Sequence, residues 1–125
     1  MRDFINFLTT YCLAVTAVLL TSITVLSLTP LTELPPVPGS DKLHHLIAYA
    51  ALTIPLVLKK PKYWWLIVCF FMAYSGLIEI IQPYVNRYGE WLDMAANSLG
   101  ILFGIFIAGL LNHYFPDRFK PSNQQ

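Results

Sequence analysis

Four long apolar stretches, separated by short polar segments, restrict the fold of this chain more than any other feature. They cover residues 4–28, 44–58, 63–82 and 91–111. Hydrophobic residues make up 56% of the chain and charged residues only 12%, and the charges lie almost wholly between the stretches. Such stretches are typical of transmembrane helices, which satisfy their own backbone hydrogen bonds in hydrocarbon. The sequence therefore predicts an all-α integral membrane protein with four transmembrane helices.

The second stretch is too short to cross a hydrocarbon core of roughly 30 Å at about 1.5 Å per residue. A start at Asp41, with Ser40 as N-cap, repairs much of that deficit. The first stretch is longer than a signal-peptide core, which favours an anchor. The predicted segments are an anchor helix at residues 1–28, a Pro-rich extracytoplasmic strap at 29–40, a core of three helices at 41–115 and a loose cytoplasmic tail at 116–125.

Basic residues predict the orientation, because they concentrate on the cytoplasmic side of membrane proteins. Four crossings bring both termini to the side of the lysine turn at residues 59–62. The basic residues on that side are Arg2, Lys59, Lys60, Lys62, Arg118 and Lys120. The other side holds only Lys42 and Arg87, so both termini are predicted to be cytoplasmic. The formal net charge of +1 argues against nucleic acid as a partner.

Polar residues recur at helical spacing within the last three stretches. Glu79 is the most informative, since a carboxylate between Ile78 and Ile80 is costly in a membrane unless it has partners. The stripes are Asp41, His45 and Tyr49; Ser75, Glu79 and Gln82; and Asp93, Asn97, Gly100 and Gly104. Lipid offers these groups no hydrogen bonds, so the stripes are expected to face one another beneath the outer surface.

Small residues continue the stripe of the fourth helix. Ala96, Gly100, Gly104 and Ala108 follow at four-residue intervals, a spacing that lets two helix backbones approach closely. Gly100 and Gly104 are therefore predicted to be helix-packing residues. The same face also permits a homo-oligomer.

The polar residues closely resemble the pattern of the VanZ-like membrane proteins. The sequence DKLHH at residues 41–45 is followed by Tyr49, then by Glu79 and Gln82, and then by Arg87, Asp93 and NSLG at residues 97–100. The resemblance covers residues 39–104 and the whole polar core. It implies that the family's site residues correspond to His45, Glu79, Gln82, Arg87, Asp93 and Asn97.

The family resemblance implies a place in the cell as well as a fold. VanZ is associated with reduced susceptibility to the glycopeptide antibiotic teicoplanin. The chain is therefore expected to be a multi-pass accessory protein of the bacterial cytoplasmic (inner) membrane, with residues 41–115 as its VanZ-like core. A role in glycopeptide resistance is a further expectation from the resemblance.

Three functions fit the polar cluster. The first is binding of a membrane lipid or a lipid-linked or amphiphilic envelope molecule at the outer leaflet. The ligand-binding residues would be Asp41, Tyr49, Gln82, Arg87 and Asn97. The second is an intramembrane hydrolase or transferase with Glu79 and Asp93 as acid and base and His45 orienting them. The third is an assembly subunit whose polar core only fixes helix packing.

Spacing along the chain gives little support to a metal site or to a catalytic nucleophile. His45, Glu79 and Asp93 have suitable side chains for a metal, but no HExxH motif is present, and the adjacent His44 and His45 point apart on a helix. Ser75 with His45 and Asp93 resembles a nucleophilic triad only in composition. The sequence therefore predicts neither a metal nor another cofactor.

Overall fold

The computed structural model describes residues 2–34 and 38–115. Its helices are α1 (Arg2–Thr10), α2 (Cys12–Leu28), α3 (Asp41–Lys59), α4 (Trp64–Ile81) and α5 (Trp91–Tyr114), with short 3₁₀ helices at Leu31–Glu33 and Gln82–Val85. The described residues contain no strand, so the predicted all-α class is confirmed. The predicted tail at residues 116–125, and residues 35–37 of the predicted strap, lie outside the described residues.

Within the described residues, two helical segments are long and apolar enough to cross a membrane, Trp64–Val85 and Trp91–Tyr114. A third candidate is the pair Asp3–Thr10 and Cys12–Leu28, whose axes differ by 81°. The sequence predicts one continuous helix over residues 4–28, whereas the structure breaks it at Tyr11. Thr9 gives a physical reason, because its Oγ1 donates to the carbonyls of Ile5 and Asn6, and such side-chain bonds bend helices.

Helix α3 begins where the sequence predicts. Ser40 is its N-cap, with the Leu43 amide donating to Ser40 Oγ at 3.2 Å. The helix carries charged residues at both ends and is not among the candidate spans. It contacts α1, α2, α4 and α5, and most of its second half is buried. A helix enclosed by other helices needs less apolar surface than one that faces lipid, which accounts for its lower hydropathy.

The helices alternate in direction. α3 and α5 run parallel, because His45 contacts Asn97 near one end and Asn112 Nδ2 donates to the Val57 carbonyl at 3.2 Å near the other. α4 runs antiparallel to α5, because Asn97 contacts Ser75 while the later Glu79 accepts from the earlier Glu90.

Helix α2 runs parallel to α4. Thr24 contacts Tyr74 at 2.6 Å between the two hydroxyls, and the later Gln82 contacts Ser27. The first turns of α3 and α5 therefore lie at the same end of the molecule as the last turns of α2 and α4. We call this end, which carries Asp41, Gln82 and Asp93, the polar end.

The small-residue face of α5 packs against α3 in the same chain. A Cβ atom on Gly100 would overlap the Leu46 carbonyl oxygen, and one on Gly104 would lie 2.8 Å from the Ala50 carbonyl oxygen. Ala108 is fully buried and packs in a cluster with Val57. The face that the sequence left open to self-association is thus occupied by α3.

Candidate functional site

A buried chain of hydrogen bonds joins three helices beneath the polar end. His45 Nδ1 on α3 lies 3.0 Å from Asn97 Oδ1 on α5, and Asn97 Nδ2 donates to Ser75 Oγ on α4 at 2.7 Å. All three residues are buried. Because an amide oxygen only accepts, Nδ1 of His45 donates and carries the proton. The other ring nitrogen, Nε2, then has a lone pair to offer when the ring is neutral.

Two carboxylates lie beside this second nitrogen. His45 Nε2 is 3.9 Å from Asp41 Oδ2 and 4.0 Å from Asp93 Oδ2. Asp93 and His45 are buried, whereas the Asp41 side chain is 53% exposed and opens the group to the outside. Both carboxylates lie in the first turn of a helix, where the helix dipole stabilises negative charge. We call Asp41, His45 and Asp93 the carboxylate–imidazole group.

The polar end as a whole is acidic. Lys42 Nζ pairs with Glu90 Oε2 at 2.7 Å and with Asp93 Oδ1 at 3.3 Å. Arg87 Nη2 lies 3.8 Å from Asp41 Oδ2. Three carboxylates, Asp41, Glu90 and Asp93, thus share two cationic side chains at this end.

Gln82 and Arg87 hold the end of α2 in place. Arg87 Nη1 donates to the carbonyls of Leu26 and Thr29 at 3.1 and 3.2 Å, and Gln82 Nε2 donates to the Ser27 carbonyl at 3.1 Å. The last carbonyls of a helix have no partner within the helix, so buried donors from elsewhere stabilise them. Both side chains are buried, and this structural role was missed from the sequence. One sequence signal could have indicated this role: an apolar helix that ends inside a bundle needs hydrogen-bond donors from a neighbouring segment.

Glu79 lies at the contact between the end of α4 and the start of α5. Its Oε2 accepts from the Glu90 amide at 3.1 Å, and its buried Oε1 has no hydrogen-bond partner among the described residues. A Cβ on Gly89 would overlap the Glu79 carbonyl oxygen, so only glycine allows this close approach. No hydrogen bond or ion pair joins Glu79 to His45 or Asp93 in the described part of the chain.

A small open pocket of about 140 Å³ lies beside Glu79. Glu79, Gly89 and Glu90 line it. Ile80 and Trp91 also line it, and both are largely exposed. The pocket thus combines carboxylates with exposed apolar side chains.

The predicted site residues therefore fall into separate groups. Asp41, His45, Asp93 and Asn97 lie together at the polar end. Gln82 and Arg87 bind α2, and Glu79 binds the α4–α5 turn. Tyr49 is only 1% exposed and belongs to the core.

Comparison with known proteins agrees with the motif pattern. The model of the VanZ/LLP1 family matches residues 5–112. The chain belongs to the VanZ/LLP1 family. The resemblance drawn from the sequence motifs is thus confirmed, and the VanZ/LLP1 match includes all the residues at the polar end. No curated protein and no solved structure matches the chain.

Proposed function

We propose that this VanZ/LLP1 protein is a multi-pass protein of the bacterial cytoplasmic membrane whose helices α2 to α5 all cross the bilayer. The alternating helix directions support four crossings. α3 has 19 residues, which extend about 28 Å at 1.5 Å per residue, close to the thickness of the hydrocarbon core. Its charged residues, Asp41 and Lys42 at one end and Lys59 at the other, would then lie at the two membrane surfaces.

The proposed orientation puts the polar end outside and both termini in the cytoplasm. Lys59, Lys60 and Lys62 lie at the opposite end of the helices from Asp41, in agreement with the positive-inside rule. The short helix α1 would lie along the cytoplasmic interface. Its Ile5 is buried against the protein, while Phe4 is exposed and available to lipid.

We infer that the polar end binds the headgroup of a lipid or of a lipid-linked envelope molecule in the outer leaflet. One observation carries this proposal: Glu79 Oε1, a buried acceptor atom without a hydrogen bond, belongs to a residue that lines an open pocket with exposed apolar side chains. Unpaired buried acceptors are costly, so a ligand that donates hydrogen bonds would gain affinity there. Headgroups with hydroxyl or amino groups meet that requirement.

The surroundings of the pocket suit the apolar part of such a ligand. Ile80, Trp91 and Leu92 are all exposed near its mouth. Tryptophan prefers the membrane interface, where an acyl or polyprenyl chain would enter the bilayer. A role in glycopeptide resistance would follow if the bound amphiphile is the antibiotic or the lipid-linked molecule that it targets.

One observation supports the alternative hypothesis of acid/base catalysis. His45 Nδ1 is fixed by Asn97, which directs Nε2 toward two carboxylates, and an imidazole in that setting can accept and return a proton. In this second candidate function the protein is a hydrolase or transferase that acts on the bound headgroup.

Native mass spectrometry of the purified full chain tests lipid binding. The probes are phosphatidylethanolamine and phosphatidylglycerol, whose headgroups donate hydrogen bonds, and dimethyl-phosphatidic acid, whose headgroup does not. We expect the two donor-bearing lipids to remain bound preferentially. Glu79→Ala should weaken their retention, whereas Asp3→Asn, at the other end of the molecule, should leave it unchanged.

A comparison of two substitutions separates the candidate functions. Glu79→Gln keeps the shape and one of the two acceptor oxygens but removes the acid. Binding and phenotype that survive Glu79→Gln and are lost in Glu79→Ala support headgroup binding. Binding that survives together with a lost phenotype supports acid/base chemistry. If both variants lower only the thermal stability, the polar end is structural and the proposal is wrong.

A further inference from the structure

We propose that Asp41, His45 and Asp93 bind one divalent transition-metal ion of the Zn²⁺ or Mn²⁺ class. One ligand atom from each residue lies within 4.8 Å of the other two. Two of the residues come from α3 and one from α5, so the chain carries no local motif for the site. Residue spacing along the chain does not reveal a site that the contact of two parallel helices assembles.

The imidazole is already oriented as a metal ligand. Metal-binding histidines use one ring nitrogen for the ion and donate the other N–H to a fixed acceptor. His45 donates Nδ1–H to Asn97 Oδ1, and Asn97 is itself held by Ser75 on α4. Nε2 is therefore directed into the carboxylate–imidazole group, with its lone pair available.

The state of Asp93 is an independent indication of a cation. Asp93 is only 3% exposed, and its Oδ1 accepts no hydrogen bond from any residue that the structure describes. The nearest cation, Lys42 Nζ, lies 3.3 Å from Oδ1 and is itself paired with Glu90. Lys42 is on the Oδ1 side, so Oδ2 stays free for an ion on the side of His45. Asp93 shares Lys42 with Glu90, so a second cation on the Oδ2 side would further stabilise this buried carboxylate.

The charge balance points the same way. The ion pairs around this group join three carboxylates, Asp41, Glu90 and Asp93, to two cations, Lys42 and Arg87, which leaves one negative charge uncompensated when His45 is neutral. A bound divalent cation would compensate it. Arg87 Nη2 lies 3.8 Å from Asp41 Oδ2, and Arg87 Nη1 donates to the carbonyls at the end of α2, which limits any closer approach of Arg87 to Asp41.

The distances allow binding after a small contraction. Metal–ligand bonds of about 2.1 Å put neighbouring ligand atoms about 3.0–3.4 Å apart. Nε2 is now 3.9 Å from Asp41 Oδ2 and 4.0 Å from Asp93 Oδ2, so each of these two separations must shorten by less than about 1 Å. The two carboxylate oxygens lie within 4.8 Å of each other and must approach by up to about 1.8 Å. Asp41 is half-exposed in the first turn of α3 and can move by this amount through its side-chain torsions.

The ligand set selects the class of ion. An imidazole nitrogen with carboxylate oxygens suits Zn²⁺ or Mn²⁺, whereas Mg²⁺ and Ca²⁺ prefer oxygen ligands alone. Three protein ligands leave coordination positions open on the exposed side of Asp41. An oxygen atom of a bound headgroup could occupy one of them; this last step rests on the proposed function, but binding of the ion itself does not.

The test is a calorimetric titration of the full chain, without an affinity tag, after treatment with EDTA and in detergent without added lipid. ZnCl₂ and MnCl₂ are the probes. We expect one ion per chain. Asp41→Asn is the decisive variant because its half-exposed side chain can change without disturbing the core, and it should weaken binding by at least about tenfold. Asp93→Asn should do the same.

His44→Ala is the matched control, since His44 is the neighbouring histidine and its Nε2 contacts the Pro38 carbonyl instead. It should leave the affinity within about threefold. Asn97→Ala, which removes the acceptor that orients His45, should weaken binding by about 10–100-fold. Absence of saturable binding, or equal losses in His44→Ala and Asp41→Asn, would overturn the inference.

The two proposals fail separately. If no ion binds but donor-bearing lipids are still retained after EDTA treatment, the metal inference is wrong and headgroup binding stands. If an ion binds in a manner that depends on Asp41 and Asp93 but no lipid is retained, the metal site stands and headgroup binding is wrong.

Discussion

Replacement of Gly100 by alanine should destabilise the protein, because the loss of close packing between α3 and α5 outweighs the better helix propensity of alanine. The added Cβ would overlap the Leu46 carbonyl oxygen, so α3 and α5 must move apart. Forcing an extra methyl group into a packed contact costs about 1–3 kcal/mol. Alanine recovers up to about 1 kcal/mol through its better helix propensity. We expect a net loss of about 1–2 kcal/mol in the free energy of unfolding.

Gly109 is the matched control on the same helix. A Cβ there meets no atom within 4 Å, so Gly109→Ala gains the propensity without the overlap and should stabilise the protein by about 0.5–1 kcal/mol. Gly104→Ala should fall between the two, because its Cβ would lie 2.8 Å from the Ala50 carbonyl oxygen and 2.9 Å from Thr53 Cβ.

Thermal unfolding in detergent, followed by tryptophan fluorescence, measures the three variants under one condition. The expected order of midpoints is Gly109→Ala above the unsubstituted protein, then Gly104→Ala, then Gly100→Ala. Gly100 lies one turn from Asn97, so separation of the helices should also weaken the His45–Asn97 contact and metal binding with it. A Gly100→Ala protein as stable as Gly109→Ala would refute the close approach of α3 and α5.

Two further substitutions test the buried hydrogen bonds. Asn97→Ala should lower the free energy of unfolding by about 1–2 kcal/mol, because it leaves polar atoms on two neighbouring helices without partners. The control Ser98→Ala loses only a bond to Met94 within α5 and should change the free energy of unfolding by less than about 0.5 kcal/mol. Equal effects of the two substitutions in chemical denaturation would contradict the three-helix network. Arg87→Lys keeps the charge but not the two hydrogen bonds to the end of α2, so protease cleavage near residue 29 should accelerate. An unchanged cleavage rate together with weaker lipid retention would indicate that Arg87 binds the ligand instead.

Several features of the fold depend on short segments and could be predicted from them. The apolar stretches correspond to helices because hydrocarbon leaves the backbone few alternatives. The start of α3 at Asp41 follows from Ser40, whose side chain caps the helix locally. The family motif was recognisable because its residue types and spacings are written directly in the chain, and the family match confirms it.

The break at Tyr11 shows where sequence patterns stop being sufficient. Residues 4–28 are apolar throughout, and hydropathy alone does not distinguish one bent pair from a single straight helix. The bonds of Thr9 to preceding carbonyls and the packing of Ile5 and Leu8 against other helices decide the matter. These contacts depend on the positions of neighbouring helices.

The sequence by itself determined the helical class, the positions of most helix ends and which polar residues lie near the same depth. Only the tertiary structure decided which of those residues touch. In that structure His45 lies beside Asn97 and Asp93. Glu79 accepts a hydrogen bond from the Glu90 amide, and Arg87 donates to a carbonyl at the end of α2. The physical reason is that side-chain contacts between helices depend on helix rotation and crossing, which are fixed by close approaches such as that of Gly100 to α3.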